Sequence, residues 1–394
     1  MAIDDPVVIV GMARTPLGSF QGDLARMSAP ALGALAIGAA VERAGLPSEA
    51  VEEVLMGCVL PAGMGQAPAR QAALGAGLPL SAGATTLSKM CGSGMKAAML
   101  AHDLLVAESA RVVVAGGMES MTNAPYLLDK ARGGYRMGHG TVKDHMFLDG
   151  LEDAYDKGRL MGSFAEDCAT EHGFTREAQD AFAIASLERA RAAIANGAFG
   201  AEIAPVPVPG RADPVTTDEQ PGKARPEKIP LLKPAFRENG TVTAANASSI
   251  SDGAAALVMM RRSEAEARGL APLAMVRGHA THAQAPAKFA TAPIGALRAL
   301  SGRTGWALRD VDLFEINEAF AVVTMAAMQA LDLPHDKVNP HGGACALGHP
   351  IGASGARIMV TLLAAMERHG LRRGIASLCI GGGEATAIAL ERMV

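Results

Sequence analysis

Aromatic side chains are scarce in this sequence. Only 4% of its 394 residues are Phe, Trp or Tyr, and Trp occurs once. Glycine, in contrast, occurs 45 times, and 49% of all residues are hydrophobic. This composition excludes a disordered chain, because it supplies enough apolar surface for a large core. It also predicts a core built from small side chains, in which helices lie close against sheets.

The chain also lacks a strong excess of either charge. The formal net charge of −4 provides no basic surface, so no nucleic-acid partner is expected. A local group of Lys and Arg could still hold a small anionic ligand. The longest run of small apolar residues, 29–41, is too short to cross a bilayer, so no membrane partner is expected either.

The cysteines are few, odd in number and far apart. There are five of them: Cys58, Cys91, Cys168, Cys345 and Cys379. Their spacing matches neither a disulfide framework nor a zinc site, and it is typical of a reducing compartment. The first residues run from Asp4 and Asp5 into a strand rather than a cationic leader. We therefore expect a cytoplasmic protein.

Strands and helices alternate along most of the chain. The pattern predicts strands at 7–10, 51–59, 111–115, 274–276, 311–316 and 375–380. It predicts helices at 29–44, 66–76 and 293–300, one after Cys91, and one from a glycine-rich turn to about residue 367. Such alternation indicates a parallel α/β sheet covered on both faces. A glycine-rich turn, an apolar helix and a strand occur in this order twice, which suggests an internal duplication.

The middle of the chain interrupts this pattern. Residues 120–160 show little periodicity, and a proline-rich passage covers 205–234. One helix is predicted between them at 176–196, with Thr175 as its N-cap and Gly197 as its stop. Long irregular segments inside compact proteins are usually functional or disordered, and we interpret this region as a large insertion that carries loops.

One cysteine stands where a nucleophile would be expected. Cys91 lies on a glycine turn within Lys89–Met95, and an apolar helix follows directly. The free amide groups and the dipole at the start of that helix favour a thiolate over a thiol. Gly92 and Gly94 keep bulk away and let a substrate approach the backbone. A cysteine chosen at random is more often a small buried side chain, but this context favours the nucleophile.

Three further segments carry groups suited to chemistry. Asn317 begins Asn317–Ala321 at the end of a predicted strand, where ligands of α/β sheets bind, although it could equally cap a helix. His349 lies in a loop rich in glycine and could act as a base or a hydrogen-bond donor near neutral pH. Cys379 ends a strand just before Gly381, and alone it would be interpreted as core packing. Beside a nucleophilic cysteine and a histidine, it becomes a candidate acid or base.

A metal site is a weaker interpretation of the same loop. A spacing of four residues separates His341, Cys345 and His349, and on a helix it would place the three side chains on one face. The glycines around them disfavour a helix, so the side chains need not lie together. We expect no metal. Two cysteines with one histidine suit a reaction that needs an acyl carrier and a separate proton abstractor, whereas a protease needs only one nucleophile and one base.

Together these segments resemble those of thiolases, the acetyl-CoA acetyltransferase family, and the resemblance covers essentially the whole chain. The matching segments, in order, are Lys89–Met95, Asn246–Ser248 with Asp252–Ala255, Asn317–Ala321, Gly342–Gly355 and Cys379–Gly383. The resemblance implies an α/β fold of two duplicated βαβαβ-type halves that form a layered α/β/α/β/α core with an inserted loop domain. It implies an N-terminal half at 1–118 plus about 250–269, a loop domain covering coenzyme A at 119–249, and a C-terminal half at 270–394.

The resemblance also implies an activity. The protein would be an acyltransferase that condenses acetyl-CoA reversibly, or cleaves 3-ketoacyl-CoA with coenzyme A, through an acyl-cysteine intermediate. Cys91 would carry the acyl group, His349 would activate it, and Cys379 would exchange the α-proton. Asn317 would support His349 through a water, and the amides of Cys91 and Gly381 would form an oxyanion hole. Coenzyme A would be a substrate, and no permanently bound cofactor is implied.

Further residues are implied to contact the substrate. Ser248 would touch the pantetheine arm of coenzyme A, and Phe289 would line the pocket beside it. Met161, Ala247 and Phe320 complete the expected substrate-binding and CoA-binding residues. The family also implies a homotetramer, built as a dimer of dimers.

One position departs from the family pattern. Acetoacetyl-CoA thiolases typically have His-Met-Gly in the covering loop, where this chain has Leu160-Met161-Gly162. The missing histidine leaves other 3-ketoacyl chain lengths open. Two alternatives remain: a ketosynthase-like condensing enzyme, which would have histidine in the role of Cys379, and a non-catalytic acyl-CoA-binding relative, which would lack one catalytic residue. No phosphate-binding glycine motif supports a nucleotide-binding protein.

Overall fold

A computed structural model describes residues 5–393; residues 1–4 and Val394, which belong to the predicted terminal domains, lie outside the described residues. The strands are β1 (Val7–Arg14), β2 (Gly18–Ser19), β3 (Glu53–Gly57), β4 (Gly83–Leu87), β5 (Val112–Ser120), β6 (Tyr126–Leu127), β7 (Lys143–Asp144), β8 (Ser251–Arg261), β9 (Ala274–Ala283), β10 (Leu313–Ile316), β11 (Arg373–Ile380) and β12 (Glu384–Arg392). The α-helices are α1 (Ala29–Arg43), α2 (Pro68–Gly75), α3 (Ser93–Val106), α4 (Met161–His172), α5 (Arg176–Ala195), α6 (Glu219–Lys223), α7 (Arg262–Ala267), α8 (Ala292–Thr304), α9 (Ala321–Leu331), α10 (Ala344–Leu347) and α11 (Ser354–Arg368).

The main strands follow one order with a weak junction in the middle. The order is β10-β11-β12-β9-β1-β8-β5-β3-β4, with β2 beside β8. β1 and β9 share two residue pairs, whereas β1 pairs with β8 over seven residues and β9 with β12 over nine. The strands up to β8 and those from β9 onward therefore form the sheets of two halves. The order β1-β8-β5-β3 and the order β9-β12-β11-β10 each consist of two antiparallel pairs followed by one parallel pair, which confirms the predicted duplication.

Most neighbouring strands are antiparallel, so the prediction of a parallel sheet is wrong for most of the molecule. Only β3 with β4, β3 with β5, and β10 with β11 run parallel among the described strands. The error comes from β8 and β12, which were not predicted. Almost every residue of both strands is buried. Each of the two strands contains three alanines, and alanine is depleted in strands, so their sequences do not identify them as strands.

The helices complete a five-layered core, as predicted. α3 and α11 lie between the two sheets, α1 and α2 cover the outer face of the first sheet, and α8 covers that of the second. Of the fifteen residues of α11, thirteen are buried. The two central helices touch at Gly355, where an added Cβ would lie 2.3 Å from the backbone nitrogen of Met95. Small side chains are thus required for the spacing of the central layer.

The inserted segment between β5 and β8 is more regular than predicted. It contains the β6–β7 hairpin and the helices α4, α5 and α6. α5 confirms the predicted helix, and the Thr175 hydroxyl caps it by accepting the amide N–H of Ala178 (3.2 Å). α4 was not predicted, because no side chain caps its start at Leu160 and no acidic residue stands in its first turn.

Two predicted strands, 111–115 and 375–380, are each followed by a glycine-rich segment that ends in glutamate, and these two segments differ in structure. Gly116–Glu119 continue β5, and they are fully buried. Gly381–Gly383 instead form a turn that leads into β12. The similarity of these two segments therefore does not mark equivalent turns. No helix within residues 5–393 has both the length and the hydropathy needed to span a membrane.

Candidate active site

The predicted site residues converge on one pocket of about 730 Å³, lined by both the core and the insertion. Nine of the ten line it: Cys91, Met161, Ala247, Ser248, Phe289, Phe320, His349, Cys379 and Gly381. The tenth, Asn317, is buried behind His349. Segments far apart in the sequence thus meet in one cavity.

Cys91 lies at the tip of a tight turn between β4 and α3. Met90 has a left-handed backbone with φ of 47°, which is uncommon for a residue other than glycine. Ser93 holds the turn, because its hydroxyl donates to the Met90 carbonyl (2.6 Å) and accepts from the Lys89 amide (2.8 Å). The Lys89 ammonium also pairs with the Glu384 carboxylate at the start of β12. The nucleophile turn is thereby tied to the turn between β11 and β12.

The Cys91 thiol does not have the low pKa predicted from the sequence. Burial among protein atoms raises the pKa of Cys91 to about 11, and the amide N–H groups of Gly381 and of Cys91 itself offset this only in part. The helix α3 begins at Ser93, beyond the cysteine, and its dipole does not outweigh the desolvation. The resting group is therefore a thiol, and a base has to take its proton.

His349 presents one free ring nitrogen. Its Nδ1 lies 2.6 Å from Oγ of Ser354, whose hydroxyl donates to the Pro350 carbonyl (2.9 Å). Because that hydroxyl hydrogen is already used, we assign the ring proton to Nδ1 and the lone pair to Nε2. Nε2 is buried and has no hydrogen-bond partner among residues 5–393. Burial and the charge of Arg357 lower the pKa of His349 to about 3, so the ring is neutral and can accept a proton.

The backbone before His349 requires glycine. Gly348 has φ of 104°, and a Cβ at this position would lie 2.1 Å from Oγ of Ser251. The next amide, that of His349, donates to the Ser249 carbonyl (3.1 Å). The strand that begins at Ser251 thus fixes where the histidine loop starts.

Buried polar groups stand behind the imidazole. The Asn317 side-chain nitrogen lies 3.4 Å from Nδ1 of His349, and its oxygen accepts from Arg357 (3.4 Å). Arg357 pairs with Glu315 at 3.6 Å, and burial raises the pKa of Glu315 to about 8. Sequence analysis missed both Arg357 and Ser354. A charged residue inside an apolar helix was the signal that could have found Arg357.

The second cysteine faces the same end of the pocket. Cys379 is 1% exposed, and burial raises the pKa of its thiol well above the usual range, with the neighbouring Cys91 sulfur adding to this. The turn after it depends on Gly382 and Gly383, which have φ of 94° and 85°. That turn directs the amide of Gly381 at the sulfur of Cys91.

The side chains considered for a metal point to different partners. The Cys345 thiol contacts the carbonyls of Asn246 and Glu318 (3.6 and 3.7 Å), and the His341 ring contacts His369 (3.3 Å). Among the described residues, one other group has metal-ligand chemistry: His102, Asp103 and His279. Both imidazoles there contact Oδ1 of Asp103, at 3.2 and 3.0 Å.

The insertion contributes cations and apolar walls that sequence analysis did not assign to the site. Lys223, Arg225 and Lys228 line the pocket and are exposed, so they mark its mouth. Their proline-rich surroundings had suggested only a loop. The apolar lining that the insertion supplies includes Phe147, Leu151 and Phe236. No periodic pattern in the sequence connects these residues.

Fold and site together define a class of protein. The molecule is a layered α/β protein with a cysteine, a neutral imidazole and a second buried cysteine in one pocket, and with cations at the mouth. This combination suits enzymes that carry an acyl group on cysteine and bind an anionic substrate.

Comparisons with known proteins identify the family within that class. The profile of the thiolase N-terminal domain matches residues 7–263, and that of the C-terminal domain matches residues 270–392. The acetyl-CoA acetyltransferases of Cupriavidus necator and Pseudomonas aeruginosa are 50% and 49% identical, each over 98% of this chain and 99% of its own length. A thiolase of Ascaris suum, crystallised with coenzyme A, has a TM-score of 0.94 and 41% identity, covering 98% of this chain and 100% of that one. The chain belongs to the thiolase family.

Proposed function

We propose that this protein transfers acyl groups through Cys91: it condenses acetyl-CoA reversibly and cleaves 3-ketoacyl-CoA with coenzyme A. One observation carries the proposal. A Cys91 thiol whose pKa is lowered in part by the amide N–H groups of Gly381 and of Cys91 itself shares its pocket with a neutral His349 whose Nε2 has a free lone pair. This pair can transfer one proton and create the nucleophile at the moment of attack.

Cleavage would begin when the Cys91 thiol gives its proton to Nε2 of His349. The sulfur attacks the C3 carbonyl, and the amides of Cys91 and Gly381 stabilise the oxyanion. The C2–C3 bond then breaks, and the thiol of Cys379 protonates the departing enolate to give acetyl-CoA. In the second stage coenzyme A gives its proton to the Cys379 thiolate and attacks the acyl-cysteine. Cys91 leaves as a thiolate and recovers its proton from His349, so all groups return to their starting state.

The remaining wall would hold the substrate. Ser248, Ala247, Phe289, Met161 and Phe320 provide a largely apolar channel of the kind that a pantetheine arm needs, and the three cations at the mouth suit its phosphates. We propose coenzyme A as a substrate and no permanently bound cofactor.

The acyl part would lie near Leu160. Its apolar side chain lines the pocket where the resemblance predicted a polar one, which favours tolerance of 3-ketoacyl chains longer than four carbons. Cysteine rather than histidine at position 379 favours this reaction over that of a ketosynthase. The meeting of Cys91, His349 and Cys379 in one pocket favours catalysis over acyl-CoA binding alone.

We also propose a cytoplasmic homotetramer, a dimer of dimers, that acts in fatty acid metabolism. The edge strand β4 and the exposed apolar residues around the β6–β7 hairpin support such association; these are Tyr126, Leu128, Tyr135, Met137 and Val142. For the domains we propose 1–118 with about 250–269, 119–249, and 270–394. The weak β1–β9 junction supports the last boundary.

Thiolysis of a substrate series tests the function. Purified protein receives coenzyme A and 3-ketoacyl-CoA substrates from four carbons upward, and chromatography measures the acetyl-CoA released. We expect Cys91→Ala to lower turnover by at least about 10³-fold, because the acyl carrier is lost. Cys168→Ala, which removes a buried cysteine outside the pocket lining, is the matched control and should keep turnover.

The set of substrates that is cleaved decides between a short-chain and a broad specificity. Cleavage of the four-carbon substrate alone would make the enzyme a short-chain acetyltransferase despite Leu160. Faster cleavage of longer chains would make it a broad 3-ketoacyl-CoA thiolase. No cleavage of any substrate, or full activity in Cys91→Ala, would refute the proposal.

A further inference from the structure

We propose that Glu119 is a positioning residue for His349, and that its carboxylate joins strand β5 to the histidine loop that precedes α11. The inference rests on the proposed function, because it assigns Glu119 to the geometry of that reaction. Glu119 lies in β5, outside the pocket lining, and it acts on the imidazole only through the loop.

Both oxygens of this carboxylate accept backbone N–H groups. Oε2 accepts from Val59 (3.0 Å) and from Gly352 (2.8 Å), and Oε1 accepts from Leu60 (3.2 Å). The Cys58 sulfur lies 3.6 Å from Oε1. One fully buried side chain thus connects the segment after β3 with the segment before α11.

The hydrogen bond from the Gly352 amide to Glu119 affects His349 because Gly352 lies in the same loop. Gly352 follows His349 by three residues and precedes Ser354, whose hydroxyl fixes the ring tautomer. A shift of the Gly352 amide therefore moves both the imidazole and its hydrogen-bond partner. Catalytic groups tolerate such shifts poorly, because proton transfer requires hydrogen-bond distance.

Glu119 also has no cationic partner among residues 5–393, whereas a buried carboxylate that stabilises a protein usually pairs with a Lys or Arg. Within the described part of the chain, no Lys or Arg contacts it, and its contacts are the three amides and the Cys58 thiol. A buried charge without a cation lowers stability. The presence of this carboxylate is better explained by the backbone amides that it holds in place than by any gain in stability.

The same geometry predicts a pH dependence. Burial raises the pKa of Glu119 to about 7. The titratable groups that face it are the thiols of Cys58 and Cys91, whose pKa values are both raised, so they stay neutral in this range. Below pH 7 the protonated carboxyl loses acceptor capacity and releases an amide. The pKa of His349 is about 3, so the imidazole itself does not titrate there.

The variant Glu119→Gln tests the proposal, with Glu166→Gln as the matched control. Glu166 is another buried carboxylate that accepts backbone amides, those of Thr241 and Val242, but it lies in the insertion and does not touch the histidine loop. We expect Glu119→Gln to lower kcat by at least about tenfold with KM for coenzyme A within about twofold, because glutamine has one acceptor oxygen and cannot satisfy the amides of Val59, Leu60 and Gly352 together. Glu166→Gln should keep kcat.

Hydrogen exchange measured by mass spectrometry supplies a readout independent of turnover. The peptide that contains Gly352 should exchange faster in Glu119→Gln than in wild type or Glu166→Gln. Equal exchange and unchanged kcat would overturn the proposal. If wild-type protein shows no thiolysis, the proposed function fails, whereas the exchange data still test the hydrogen bond.

The pH dependence of kcat in the wild-type protein tests the proposal without a substitution that could disturb folding. Condensation of acetyl-CoA alone avoids a thiol substrate that titrates. We expect kcat to fall as the pH is lowered through about 7 and to level off near the kcat of Glu119→Gln, because this variant imitates the protonated carboxyl. A flat profile between pH 5 and 8, together with an unchanged kcat in Glu119→Gln, would overturn the assignment of Glu119.

Discussion

At the scale of single residues, burial shifts the pKa values of Cys91 and His349 in opposite directions. Burial raises the pKa of Cys91 to about 11 and lowers that of His349 to about 3. Desolvation disfavours a thiolate and an imidazolium alike, so the pair rests as two neutral groups. The pocket therefore holds no buried ion pair before a substrate arrives. The ionic state is needed only while the sulfur attacks, when the oxyanion and the bound substrate change the local field.

The raised pKa predicts how the free thiol reacts. Alkylation of Cys91 by iodoacetamide should accelerate about tenfold for each pH unit between pH 7 and 10, because the thiolate fraction rises by that factor below the pKa. Mass spectrometry of the Cys91 peptide measures the rate, and Cys91→Ala accounts for the other cysteines. A rate that levels off near pH 8 would show that the helix start lowers the pKa after all.

At the scale of secondary-structure elements, the contact between α3 and α11 sets the distance between nucleophile and base. Each helix starts a few residues after its catalytic side chain, Cys91 in one case and His349 in the other. The helices touch through Gly355 and Met95, with no side chain between them at that point. The spacing of the central layer thus decides whether the two groups can exchange a proton.

Gly355→Ala should disturb both packing and catalysis. The new Cβ would lie 2.3 Å from the nitrogen of Met95, so backbone must move. We expect a loss of about 1–3 kcal/mol in the free energy of unfolding, and a lower kcat because Ser354 moves with its neighbour. Denaturant titration and thiolysis measure the two effects.

Gly38→Ala is the matched control for that variant. A Cβ at Gly38 in α1 would stand 3.9 Å from the nearest atom, the Ala76 carbonyl oxygen, which is ordinary contact. Alanine is the better helix former, so stability should stay equal or rise by about 0.5–1 kcal/mol. Equal stability of the two variants would contradict the close approach at Gly355.

At the scale of the whole molecule, a buried arginine joins the insertion to the core. Arg14 in β1 is fully buried and donates to Glu202 (2.6 Å) and to Asp218 through two nitrogens (2.7 and 2.9 Å). Asp218 directly precedes α6, which carries the pocket cation Lys223. The position of the pocket mouth relative to the core therefore depends on this charge network.

Arg14→Leu should destabilise the protein by about 3–5 kcal/mol, because it leaves two buried carboxylates without their cation. Denaturant titration measures the free energy of unfolding, and KM for coenzyme A reports the pocket mouth. Arg111→Leu removes a largely exposed arginine that pairs with Glu52, and it should leave stability unchanged. Similar losses in both variants would contradict the assigned role of Arg14.

The sequence predicted some helices, strands and turns correctly and missed others, and the same is true of the properties of the site. The helices α1, α2, α5 and α8 have caps, stops or apolar periods within a short window, and their prediction is confirmed. β8 and β12 were missed, because both are rich in alanine, a residue that is depleted in strands. The glycine motif around Cys91 predicted the turn there. The pKa of Cys91 was predicted wrongly, because local sequence shows the helix start but not the desolvation by distant segments.

The sequence by itself determined which groups could act and in what order they occur: Cys91, Asn317, His349 and Cys379. It also determined the family and the layered, duplicated fold. Only the tertiary structure decided the protonation state of the reacting pair and the partners of His349, Glu119 and Arg14. Those properties depend on the atoms that surround a group in space, and residues more than a hundred positions away supply many of them.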